Sequence, residues 1–232
     1  MPWFFIDYWY VILVLPALIL AYWAQFRVNS TFEKYSRVTT RGGMTGYAAA
    51  RMVLDRNGLS HVAIEEVKGH LSDHFDPRTN VIRLSSAVYH GANAAAAGVA
   101  AHEAGHAVQY AEQYAPMRLR AAIIPVTNFG SRLALPLLLI GILLAYPPLA
   151  YAGVLAFGLS TLFQLVTLPV EFNASRRAMA AIGDSGRFGA EESEGARRVL
   201  SAAALTYVAA LAVSLANLLR LLMIVGGSRR RR

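Results

Sequence analysis

The longest uncharged run in the chain, Leu133 to Val170, covers 38 residues, and it limits what the rest can fold into. A bilayer core accepts about 20 helical residues, so a run of this length is too long for one crossing and suits two. Pro147-Pro148 supplies the turn between them, leaving one span that begins somewhat before Leu133 and another that ends near Val170. A buried hairpin in a soluble core would need polar sequence to wrap it. Of the 232 residues, 16% are charged and 56% hydrophobic, which leaves too little.

Two further uncharged stretches follow the same logic. Tyr8 to Phe26 is rich in Leu, Ile and Val, with Trp3, Trp9, Tyr22 and Trp23 placed for the two interfaces and Pro16 positioned to kink the helix. A secretory signal is the competing reading, but no basic segment precedes the apolar run. Val199 to Leu219 is richer in Ala and Ser, which suits a span packed against protein, and Arg220 at its end could snorkel to the interface. The expected fold is mainly α: a polytopic membrane protein with three to four transmembrane helices and a polar α+β region. Its division is a first transmembrane helix over 1–26, a polar region over 27–120, a transmembrane hairpin over 121–170, a polar segment over 171–198, a last helix over 199–228 and a basic tail over 229–232. The hairpin returns the chain to the side it left, so both polar blocks face one compartment.

With no cysteine, any metal must be held by His and carboxylate. His102-Glu103-Ala104-Gly105-His106 reads HExxH. Two His at i and i+4 share one helix face and can reach one ion, while Glu103 is placed to act on a water at the metal. Ala94 to Ala101 favours helix, with Asn93 as its N-cap. No third His follows at the metzincin spacing. A third ligand therefore has to come from His61, His70, His74, His90, Glu112, Glu171, Asp184 or the cluster Glu191, Glu192 and Glu194, with Glu171 standing out because it directly follows a span. Upstream, Asn80 to Ser85 reads as a short strand after an Asp76-Pro77-Arg78 turn, placed to take an extended peptide by strand addition.

Four separated segments carry a family resemblance: Arg27 to Ser36 (RVNSTFEKYS), Asp73 to Arg78 (DHFDPR), Ala100 to Gln109 (AAHEAGHAVQ) and Leu168 to Arg177 (LPVEFNASRR). In this order they resemble the bacterial YugP-type neutral zinc metallopeptidases, over nearly the whole chain. Glu171 to Ser175 is also similar to the segment that supplies the third zinc ligand in HtpX and the CAAX prenyl endopeptidases. The resemblance implies a zincin-like α+β catalytic region over 27–120, with a gluzincin-like Zn2+ site of His102, His106 and Glu171 and with Glu103 as general base. Ser175 stands where those proteins carry Asp. His74, Arg176 and Arg177 are candidates for contacts to the substrate or to the developing oxyanion.

The function expected is thus a membrane-anchored zinc-dependent endopeptidase acting on a protein or peptide substrate. The alternative is a catalytically inactive membrane scaffold or adaptor with a structural metal, which has no use for Glu103. An intramembrane protease fits less well, since the Ala-rich metal helix lies within charged sequence. The net charge of +8 would permit nucleic-acid binding, but uncharged blocks of bilayer length assign it to lipid, and no nucleic-acid partner is expected. Nothing in the sequence specifies an oligomeric state. Asp7 precedes the first span and Arg27, Lys34 and Arg37 follow it, which places the catalytic side of this multi-pass cell-membrane protein in the cytoplasm. The run Arg229 to Arg232 opposes that orientation if the last segment crosses fully.

Overall fold

The computed structural model describes residues 7–69 and 72–229, with the side chains of 228 and 229 excepted. Trp3, His70 and the basic tail, apart from the backbone of Arg229, therefore lie outside the described residues. Among the described residues seven α-helices and three strands follow one another: α1 (Leu15–Tyr35), α2 (Gly46–Arg56), β1 (Ala63–Val67), β2 (His74–Asp76), β3 (Val81–Ser85), α3 (Ser86–Tyr89), α4 (Ala94–Ala111), α5 (Ala115–Leu143), α6 (Pro147–Asp184) and α7 (Ala190–Arg229). Four helical stretches among these residues are long and apolar enough to cross a membrane: Tyr10–Tyr35, Ala115–Leu143, Pro147–Asp184 and Ala190–Gly227. The protein is a mainly α membrane protein.

The chain divides into two compact units. One holds residues 1–24, 119–168 and 206–232, the other residues 25–118 and 169–205.

In the first unit the backbone departs from the α-helix just before Pro16, where a kink was expected. Tyr10–Val14 is a π-helical turn leading into α1. Proline lacks an N–H and its ring presses on the carbonyl one turn back, and a widened turn relieves that crowding. Between α5 and α6, Ala145 turns the chain with φ of 51° and Pro147 opens the next helix, as the Pro147-Pro148 pair requires. The two helices then approach closely: a Cβ on Gly153 would stand 2.5 Å from the Leu138 backbone nitrogen. Thr161 and Ser214 share a buried 2.8 Å hydrogen bond between α6 and α7. Arg220 does not reach outward for the interface. It is buried, pairs with Asp7 at 2.8 Å and lies over the Tyr10 ring, so the start of the first apolar helix meets the far end of the last.

The second unit is built around α4. Of its residues from Ala94 to Gln109 all but Val99 are buried, which small side chains make possible because neighbours can close in on every face. Leu54, Ile82, Leu84, Val88, Ile182 and Leu200 are among the large residues of the surrounding core. Asn93 caps α4 as expected, its Oδ1 accepting from the Ala96 N–H at 2.9 Å. The sheet has the order β1-β3-β2, parallel between β1 and β3 and antiparallel between β3 and β2.

That order corrects one expectation. Val81–Ser85 is a strand, but it is central and bonded on both sides, so it cannot receive an added peptide strand. Asn80 is not part of it: with φ of 56° it completes the turn from β2. Asp76 organises this turn. Its carboxylate accepts from the Arg78 N–H and the Thr79 hydroxyl, and these bonds, with Arg83, hold its pKa at about 2.

Candidate metal centre

One turn of α4 carries the centre. His102 and His106 project from the same face, their rings 4.7 Å apart and nearly perpendicular. Glu171 comes from α6, immediately beyond the uncharged run, and is 2% exposed. Its Oε2 lies 3.2 Å from His102 Nε2 and 3.5 Å from His106 Nε2. This convergence depends on Gly105. A Cβ there would stand 2.8 Å from the Ala174 carbonyl oxygen, so the middle of the motif is also the point where α4 and α6 touch backbone to backbone.

The outer faces of these side chains are held as well. His106 Nδ1 is 2.9 Å from Gln109 Oε1, and His102 Nδ1 is 3.1 Å from Ser175 Oγ. Gln109 Nε2 in turn donates to the Val170 carbonyl at 2.8 Å and to Asn173 Oδ1 at 2.9 Å. Glu103 is held from the sheet: its Oε2 accepts from the Phe75 backbone N–H of β2 at 3.0 Å. Phe75 also packs on Tyr110, one turn beyond His106. Burial alone would favour a neutral His106. The hydrogen bond to Glu171 and the charges of Glu103 and Glu171, with Gln109, outweigh it and raise the imidazole pKa above its ordinary value.

The pattern of the family described as "Putative neutral zinc metallopeptidase" matches residues 10–226. The chain belongs to that family. A protein of Bacillus subtilis (strain 168) described as "Putative membrane protease YugP" is 50% identical to it over 215 residues, 93% of this chain and 96% of the relative. No solved structure matches the chain.

A zinc-peptidase family directs attention to the donor set, and the set fits. Ligand atoms of His102, His106 and Glu171 all lie within 4.8 Å of one another, and among the described residues this is the one such group of three. Two imidazoles and a carboxylate are what zinc takes in a site that leaves one position for water. Their facing lone pairs repel unless a cation, either a proton or a metal ion, sits among them.

The other candidates for a third ligand are engaged away from this cluster or exposed. His90 contacts Glu66, Glu112 pairs with Arg177, and Glu194 pairs with Arg197 and Arg198. Glu192 accepts from the backbone of Arg41 and Gly189, while His61, Asp184 and Glu191 are exposed. Of the three residues expected near a substrate, His74 lies one residue before Phe75 with its Nδ1–H donating to the Ser72 carbonyl at 2.8 Å. Arg176 is exposed, and Arg177 bonds Asn173 and Glu112. Sequence reasoning missed Gln109 and the Phe75 N–H. A polar residue three positions beyond His106, on the same helix face, was the available signal for the first; a backbone donor leaves none.

Proposed function

We propose that this protein is a membrane-anchored zinc-dependent endopeptidase in which His102, His106 and Glu171 hold Zn2+ and Glu103 is the general base. In this reading residues 27–120 and 171–198 form the catalytic region, and the remaining helices anchor it. Bound zinc supplies Lewis acidity, lowering the pKa of a water to about 7 and polarising a scissile carbonyl. Glu103 contributes the proton handling. The Phe75 N–H fixes one carboxylate oxygen, which leaves the other to accept a proton from water and deliver it to the departing amine. His74 Nδ1 is committed to a carbonyl, so its Nε2 can donate to a developing oxyanion only as the imidazolium.

The observation that carries this reading is an oriented Glu103 beside a three-ligand cluster, since a structural metal needs no base. That favours the enzyme over an inactive scaffold. The test uses the purified full chain, assayed for zinc content and for cleavage of unfolded casein, against Glu103→Gln. One zinc in both proteins, with cleavage lowered about 10²- to 10⁴-fold in the variant, is the expected result. Zinc in both and cleavage in neither, across a broad peptide library, would sink the protease reading.

Four crossings put both ends of the chain on one side and both polar blocks on the other. The charges flanking the first span assign the polar blocks to the cytoplasm. Labelling of cysteines introduced at Ser60 and Ser228 from either face tests this assignment, and equal accessibility of both positions from one face would refute the four-crossing topology.

A further inference from the structure

Gln109 is the most fully buried polar side chain beside the cluster, at 0% exposure, and every hydrogen-bonding group of its amide is used. The direction of that amide is decided by chemistry. The Val170 carbonyl can only accept, so the NH2 end must face it. Asn173 Oδ1 also receives the Nε–H of Arg177 at 2.8 Å, and a guanidinium can only donate, so this second neighbour is an acceptor too. Turning the Gln109 amide round would bring oxygen against oxygen at both positions. The Oε1 end therefore faces His106, and His106 Nδ1 must carry a hydrogen to meet it at 2.9 Å. Its Nε2, on the side of Glu171, is left for a cation.

We propose that Gln109 is the positioning residue for His106: it fixes the proton on Nδ1, aims Nε2 into the cluster and ties that imidazole to the turn of α6 that carries Glu171. His102 has no equivalent device, because the Ser175 hydroxyl can donate or accept and so dictates no tautomer. Arg177 acts through Asn173 on this amide and lies three hydrogen bonds back from the His106 ring. The proposal rests on the zinc-peptidase reading for what the cluster binds, but not for whether peptides are cleaved.

The test is performed on the intact protein in detergent, with 15N-labelled histidine. In the zinc-loaded wild type, long-range 1H–15N spectra should show His106 protonated at Nδ1, with that proton protected from exchange. Gln109→Met removes the acceptor and both donors. It should lose the protection and bind zinc about 10- to 100-fold more weakly in chelator competition. Gln109→Glu keeps an acceptor for Nδ1–H and should retain the proton position, with lower stability because its second oxygen meets the Val170 carbonyl and Asn173 Oδ1. A wild-type complex with the proton on Nε2, or Gln109→Met with wild-type zinc affinity, overturns the proposal. The wild-type spectrum needs no variant to fold. Zinc binding with the expected spectra but no casein cleavage would support the role of Gln109 and sink the peptidase reading; cleavage with unchanged zinc affinity in Gln109→Met would do the reverse.

Discussion

Two sets of polar side chains, one in each unit, are used in opposite ways. In the unit of apolar helices Thr161 pairs with Ser214 and Arg220 with Asp7, closed pairs in which a donor meets an acceptor. In the other unit His102, His106 and Glu171 bring lone pairs toward one another, while Gln109 and Ser175 occupy the outer nitrogens. The first arrangement is complete as built. The second is a donor set that could hold a cation, and in the proposed function that cation is the reagent.

Changes to the convergent set should cost most. His106→Ala should lower zinc content to background and cut casein cleavage about 10³-fold, from the several kcal/mol a Lewis acid contributes; elemental analysis beside the cleavage assay reads both. Cleavage that survives zinc loss would break the comparison outright. Next come the two close helix contacts. Gly105→Leu meets the Ala174 carbonyl and Gly153→Leu meets the Leu138 backbone, each costing about 3 kcal/mol of stability in thermal unfolding. Zinc affinity should fall for Gly105→Leu alone, because it parts the His pair from Glu171. Equal zinc loss in both would mean the units do not differ as described.

Arg220→Ala leaves Asp7 without this partner and should cost about 2 kcal/mol, below a fully buried pair because Asp7 is 22% exposed. Adding Asp7→Asn should recover part of it, and zinc content should not change in either variant. A smaller effect is expected from pH. Below the raised pKa of His106 the metal-free site holds a proton that zinc must displace. Affinity should therefore climb as pH rises toward the His106 pKa, up to about tenfold per unit, and level off above it. Calorimetry in buffers of different ionisation enthalpy should register the released proton, and a flat affinity below neutral pH would remove this competition. Smallest of all, Thr161→Val should cost about 0.6 kcal/mol, the scale of one hydrogen bond between membrane helices.

Periodic and local features were legible in the sequence. Uncharged runs gave the membrane helices, Asn93 announced the start of α4, and the spacing of His102 and His106 gave their shared face. Glu171 could be singled out because it follows a span directly, although the residues alone left other ligands open and the family resemblance decided among them. Contacts that join distant segments were not legible. Arg220 looked like an interfacial residue because its partner lies 213 positions away. Val81–Ser85 looked like a docking edge because β1, with an exposed Glu65-Glu66 centre, gave no alternating signal to reveal that it covers that side. The anchor of Glu103 is a backbone N–H, which every residue but proline carries.

The Asp7–Arg220 pair also sets an order of assembly. The chain is made from its N-terminus, so Asp7 is in place long before Arg220 exists. The residues of the proposed centre, the last of them Glu171 and Ser175, are all synthesised in the interval. The Asp7–Arg220 pair can close only after every residue of that centre has been made.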